Sequence, residues 1–209
     1  MEFKRVLVLA PHTDDGEFGC GGTIAKLINA GADVYYVAFS SAEKSVPVHL
    51  PCDILKHEVK DAIKELGIKR ENLILKDFEV REFPAHRQEI LEELIKLKNK
   101  IEPNLVMMPS LHDIHQDHLT IAMEGVRAFK NTTVLGYEVP WNNLTLNTTM
   151  FSKLSLSHVE RKIAALKCYE SQKGKSYAQS EYIKNLASVR GMQIGVDFAE
   201  VFEVLRWIM

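Results

Sequence analysis

Short apolar runs recur along this chain, each closed by a polar stretch rich in glycine, proline or charge. Residues 5–10 predict a buried strand, and 34–39, with β-branched and aromatic side chains, predict a second. A helix is predicted over about 23–30 with Gly31 as its C-cap. Another begins after Asp53, a candidate N-cap, and ends at Gly67, with Leu55, Val59, Ala62, Ile63 and Leu66 on one face. Residues 73–75 read as a short strand. A long helix from about residue 85 carries Ile90, Leu91, Leu94, Ile95 and Ile101 on its apolar face. Strands at 105–109 and 133–139 flank a helix over about 119–129, and residues 140–157 read as irregular or as short strands. Helical patterns follow at 158–170 and 178–189, then a final strand at 201–205. This alternation predicts an α/β fold, a mainly parallel sheet with helices on both faces. No repeat, low-complexity segment or linker divides residues 1–209, so one domain is expected.

Composition narrows the partners. The chain has 209 residues, 46% hydrophobic and 26% charged, with a net charge of −2. No broad basic face for nucleic acid is implied, and no apolar run is long enough to be transmembrane. The first apolar segment is too short for a signal peptide and no small-residue cleavage site follows it. Three widely spaced cysteines, Cys20, Cys52 and Cys168, read as reduced thiols and not as a disulfide framework or a thiolate metal site. A cytoplasmic protein is the expectation; the oligomeric state is unreadable.

Two polar clusters change the picture. Pro11-His12-Thr13-Asp14-Asp15-Gly16-Glu17 follows the first predicted strand, and His112-Asp113-Ile114-His115-Gln116-Asp117-His118 follows the strand at 105–109. Both fall at strand ends, the edge where open α/β sheets bind ligands. Adjacent carboxylates repel unless a cation intervenes. One imidazole and one carboxylate from the first cluster, with a third donor from the second, suit a catalytic zinc that keeps a position for water. Singly, these carboxylates read better as helix caps than as ligands, and the two clusters together reverse that preference. Three histidines and two aspartates within seven residues are not accounted for by surface solvation.

The first cluster and the following Gly19-Cys20-Gly21-Gly22 resemble the His-Pro-Asp-Asp-Glu signature and glycine turn of the PIG-L/LmbE-like de-N-acetylases. His115-Gln116-Asp117-His118 resembles that family's His-x-Asp-His element. Weaker similarity extends through Lys162, residues 169–172, Arg190-Gly191 and residues 199–202. The resemblance implies a Rossmann-like fold and a Zn2+-dependent hydrolase that removes acetyl from an N-acetylated amino sugar (GlcNAc-type) or glycoconjugate. It implies His12, Asp15 and His118 as metal ligands, Asp14 as general base, and His115 as acid or transition-state stabiliser. Asp117 would orient a histidine, His115 being the expected partner.

Some positions depart from the family pattern. Thr13 replaces the usual proline, and Gly16 is inserted before Glu17. Asp113 stands where some members place a tyrosine that assists the oxyanion. An arginine that contacts sugar in some members has no match at Leu55 or Lys56. Arg81 and Arg87, on either side of Phe83-Pro84, are the candidate substrate-binding residues. Trp141 is a possible ring platform with core packing as its default, and His112 and Asp113 are possible pocket or hydrogen-bonding residues. A metal-dependent phosphoesterase remains the alternative activity, and a nucleotide-binding module on the glycine turn is the weakest reading.

Overall fold

A computed structural model describes residues 3–209. One seven-stranded sheet has the order β3-β2-β1-β4-β5-β7-β6. Its strands are β1 (Arg5–Ala10), β2 (Asp33–Ala38), β3 (Leu73–Leu75), β4 (Leu105–Pro109), β5 (Thr133–Tyr137), β6 (Met150–Leu154) and β7 (Phe198–Arg206). The first five run parallel, while β7 pairs antiparallel with both β5 and β6. Alternate residues of β1 feed two separate cores. Val6, Val8 and Ala10 pack on one side of the sheet, and Leu7 and Leu9 on the other, as expected for a strand covered on both faces. The alternation of strands and helices along the chain therefore gives the α/β, Rossmann-like, mainly parallel architecture.

The helices are α1 (Asp15–Asn29), α2 (Ile54–Leu66), α3 (Arg87–Ile101), α4 (Gln116–Ala128), α5 (Leu156–Lys167) and α6 (Ser180–Met192). α5 packs on α1 and α2, α3 packs on α4, and α6 packs on α5 and β7. Among the described residues no helix is long and apolar enough to cross a membrane. β1 lies between β2 and β4, so the chain order reverses there. The polar clusters that follow β1 and β4 thus meet at a topological switch point, the usual ligand crevice of an open sheet.

Three local expectations fail for physical reasons. Helix α1 begins eight residues before position 23, because the glycine stretch is helical. Gly19 serves close packing: a Cβ there would lie 2.2 Å from the Tyr137 ring, and one on Gly16 would lie 2.5 Å from Tyr36. Ile95 is exposed and Leu97 is buried in its place on α3. Asp53 is the N-cap of α2, yet its side chain makes no capping bond.

Helix α1 kinks at Cys20, whose φ of −147° and ψ of 22° are not helical. The kink frees amide groups, and Glu200 on β7 captures them. Its carboxylate accepts from Gly22 N at 3.0 Å, from Thr23 N at 2.7 Å and from Thr23 Oγ1 at 2.6 Å. Lys162 Nζ, also buried, meets Glu200 at 2.7 Å and donates to Phe18 O at 2.7 Å. Breaking a buried pair by removing one partner typically costs about 3–5 kcal/mol. Glu200→Ala is therefore expected to destabilise the protein on that scale, measured by denaturant unfolding. A loss below about 1 kcal/mol, typical of an exposed pair, would contradict this role.

Candidate metal centre and active site

The loop after β1 and the N-terminus of α4 bring His12, Asp15 and His118 together. His12 Nδ1 lies 3.1 Å from Asp15 Oδ2, His118 Nε2 lies 3.2 Å from the same oxygen, and the two nitrogens are 3.4 Å apart. The opposite nitrogen of each ring is held by a buried carboxylate. His12 Nε2 meets Asp117 Oδ2 at 2.9 Å, and His118 Nδ1 meets Asp113 Oδ2 at 2.7 Å. A carboxylate on the far nitrogen fixes the tautomer and leaves the near nitrogen's lone pair pointing inward, the usual support of a metal-binding histidine. Asp15 Oδ2 also accepts from His12 N at 2.8 Å, which fixes the carboxylate against its own loop.

The electrostatics agree with a site built for a cation. Burial works against protonating His12, but the Asp15 and Asp117 carboxylates carry it up to about 9. Burial likewise opposes a charge on His118, and Asp15 and Asp113 raise it to about 10. Burial would lift Asp15, yet the two imidazoles hold it well below the usual carboxylate range. Protons thus occupy the place where a divalent ion would compensate these carboxylates.

His115 is the N-cap of α4, and its Nδ1 accepts from Asp117 N at 3.2 Å. Its ring stacks on His118 with centroids 4.6 Å apart and meets His12 edge-on at 5.0 Å. His12, His115 and His118 also form a group that could hold a metal, with candidate donor atoms all within 4.8 Å. The trio that includes Asp15 is tighter, and Nδ1 of His115 is already engaged. Burial and the two neighbouring histidines lower the His115 pKa, and an Nδ1 that accepts a hydrogen bond places a single ring proton on Nε2.

Asp14 lies outside the trio, beside it on the pocket wall. It is the N-cap residue of α1 but makes no side-chain capping bond. Burial and the neighbouring Asp15 raise its pKa to about 6. The pocket it faces encloses about 270 Å³. His12, Asp14, Asp15, His115 and His118 line one end, with Arg81, Trp141, Lys175 and Tyr177 also on its walls. Trp141 is partly exposed and stacks on Tyr177 at 4.1 Å, so its ring belongs to the wall and not to the core. The Thr13 side chain is buried, and its hydroxyl takes no hydrogen bond.

Two expectations need correction. Asp117 partners His12, not His115; its carboxylate also accepts from Arg81 N at 2.7 Å and Phe83 N at 3.4 Å, and its side chain is fully buried. Its carboxylate thereby ties the 78–83 loop to the His12 ring. Arg87 does not reach the pocket, because its guanidinium is held by the buried Glu124 carboxylate at 2.6 Å. Arg81 does line it. Asp113, left open by the sequence, is the carboxylate behind His118. The signal for it is its spacing of five residues from a candidate ligand whose other nitrogen requires an acceptor.

Beneath Asp14, Glu17 is buried against the Tyr36 and Tyr169 hydroxyls, with Tyr169 at 2.9 Å. Burial lifts this carboxyl to about 8 although both phenols favour its charged form. The folded state therefore holds this proton more tightly than the unfolded chain. That contribution to stability is complete below about pH 4.5 and is lost as pH rises through about 8. Glu17→Gln, neutral at every pH, should gain in melting temperature relative to wild type between about pH 5 and about pH 9. An unchanged difference across that range would contradict a neutral Glu17.

A family profile described as PIG-L, GlcNAc-PI de-N-acetylase, matches residues 7–129, which contain both polar clusters. The chain belongs to the PIG-L family. Diacetylchitobiose deacetylase of Thermococcus kodakarensis is 31% identical over 135 residues, covering 61% of this chain and 49% of that protein. The chain thus matches about half the length of that relative. The structure of N,N'-diacetylchitobiose deacetylase from Pyrococcus horikoshii superposes with a TM-score of 0.81 at 21% identity, covering 98% of this chain and 84% of that one. GalB, the 4-carboxy-2-hydroxymuconate hydratase from Pseudomonas putida, superposes with a TM-score of 0.78 at 21% identity, covering 99% and 98%. The PIG-L fold is therefore shared by proteins whose names state different chemistries, and the reaction has to be argued from the site.

Proposed function

We propose that this protein is a zinc-dependent hydrolase that removes acetyl from an N-acetylated amino sugar, GlcNAc-type or its conjugate. The observation that carries this reading is the triangle of His12 Nδ1, Asp15 Oδ2 and His118 Nε2 with sides of 3.1–3.4 Å. Tetrahedral donors about 2.0–2.1 Å from zinc lie about 3.3 Å from one another. Three protein donors leave a fourth position for water or substrate, the arrangement of catalytic and not structural zinc. A zinc ion held there supplies Lewis acidity, lowering the pKa of water toward about 7 and polarising a carbonyl.

The chain's own residues supply the remainder. Asp14, with a pKa of about 6, is ionised at neutral pH and close enough to that range to take a proton from attacking water and return it to the leaving amine. His115, with its single proton on Nε2, acts as a neutral donor toward the developing oxyanion, a role a protonated ring would fill only by giving up the cap from Asp117 N. Asp113 and Asp117 hold the two ligand rings. Arg81 contacts the substrate from the loop before α3. A screen for acetate release over N-acetylated sugars, with and without chelator, tests the reading. Chelator-sensitive release from at least one sugar is the expected result. Release of phosphate from aryl phosphates with no acetate from any sugar would replace it by the phosphoesterase.

A further inference from the structure

Buried polar side chains of a folded protein nearly always find a hydrogen-bond partner. Among the described residues two side-chain atoms do not, the Thr13 hydroxyl and Asn143 Nδ2. Thr13 stands between His12, a corner of the proposed metal triangle, and Asp14, the proposed base, and it forms part of the pocket wall. An unpaired buried hydroxyl costs stability. Valine has nearly the same shape and nothing to satisfy, so the fold alone gives no reason for a hydroxyl here. Proline, usual at this place in the family motif, has none either.

The loop cannot shift to relieve this cost, because its backbone is held on every side. Thr13 O lies 3.0 Å from the Tyr36 hydroxyl and 2.8 Å from that of Tyr169. Before it, His12 N donates to Asp15 at 2.8 Å; after it, Gly16 N donates to the Tyr36 hydroxyl at 3.1 Å and Phe18 N to Asp14 O at 3.1 Å. Rotation about the Thr13 Cα–Cβ bond is the freedom that remains, and it turns the hydroxyl at the pocket wall. Its partner then comes from what the pocket binds. In the proposed reaction Asp14 has to reach the attacking water and the leaving nitrogen of the acetamide. Consecutive Cα atoms are about 3.8 Å apart, so Thr13 sits beside whatever flanks that acetamide. On an amino sugar these flanking groups are the two ring carbons next to the nitrogen-bearing carbon, each with an oxygen substituent.

We propose that Thr13 is a specificity-determining residue whose hydroxyl bonds to the oxygen substituent on one of those two ring carbons, and so gains its partner only when the sugar is in place. This rests on the deacetylase reading, and separate readouts distinguish the two. Binding to zinc-loaded Asp14→Asn protein, with and without Thr13→Val, is measured by ligand-observed NMR titration. The probes are N-acetylglucosamine, its 3-deoxy analogue and its 1,5-anhydro analogue. Thr13→Val should weaken N-acetylglucosamine by about threefold to tenfold, the usual worth of one uncharged hydrogen bond. It should leave one of the two analogues within about twofold, because that analogue already lacks the partner oxygen, so the two deletions are not additive. Which analogue is spared identifies the oxygen; either one supports the proposal. In ligand-free protein the same substitution should leave metal content unchanged and the melting temperature at or above that of its parent, since it removes an unpaired group. A lower melting temperature, equal weakening of all three ligands, no weakening of any, or binding of none overturns the proposal. Acetate release by wild-type protein reads the other claim. An oxygen-specific effect of Thr13→Val with no acetate released contradicts deacetylation alone, and acetate release with no such effect contradicts the role of Thr13 alone.

Discussion

Replacing Asp14 with asparagine should reduce acetate release by about 10²–10⁴-fold while metal content and unfolding stability stay close to wild type. That range is the usual contribution of a positioned acid–base group. The substitution keeps shape and removes only the ability to take a proton. Asp14 is suited to this separation of effects because it accepts no side-chain capping bond and stands outside the His12, Asp15 and His118 triangle. Removing its charge also relieves the repulsion with Asp15 that contributes to its raised pKa, so the fold has no reason to weaken. Steady-state kinetics, metal stoichiometry and thermal unfolding on one preparation check the three parts together. A variant that loses activity only in proportion to lost metal would make Asp14 a ligand and not a base.

Replacing His118 with alanine should do the opposite, emptying the metal site and abolishing turnover with it. The substitution removes one of the three proposed donors, and it also leaves Asp113, a buried carboxylate whose Oδ2 lies 2.7 Å from that ring, without its partner. Leaving one member of a buried charged pair unpaired is costly in itself, so stability should fall as well. The milder variant is Asp113→Asn, which keeps the ligand and loosens its support. Partners of this kind typically change metal affinity or activity by about 10–100-fold, and competition with a chelator of known affinity measures the shift. Metal affinity of wild-type protein should rise with pH, since binding requires the loss of protons that His12 and His118 hold up to about 9 and about 10. Metal retention by His118→Ala at wild-type affinity would remove this residue from the coordination set.

Much of this geometry is legible in the sequence for identifiable reasons. Buried parallel strands leave continuous apolar runs, so β1 and β4 and the polar residues at their ends are visible without coordinates. Placement of both clusters at one switch point follows from strand alternation and the edge rule for open sheets. Partnership among side chains is not encoded in the same way. Asp113 and Asp117 both neighbour His115 in sequence, but the helical start at Gln116 turns Asp113 toward His118 and Asp117 toward His12. The glycine stretch misleads because glycine serves turns and close packing alike. Here Gly19 admits the Tyr137 ring, and α1 runs back to Asp15. Arg87 looks like a pocket residue until Glu124, 37 positions away, claims its guanidinium.

The claim on which the rest depends is a metal ion held by one nitrogen of His12, one of His118 and an oxygen of Asp15. A crystal of the zinc-loaded protein, with anomalous scattering recorded on both sides of the zinc absorption edge, locates that ion directly. The account predicts a single anomalous peak about 2.0–2.2 Å from His12 Nδ1, Asp15 Oδ2 and His118 Nε2, with Asp14 uncoordinated. A peak coordinated by His115 in place of Asp15, or no peak between the two polar clusters, would contradict it.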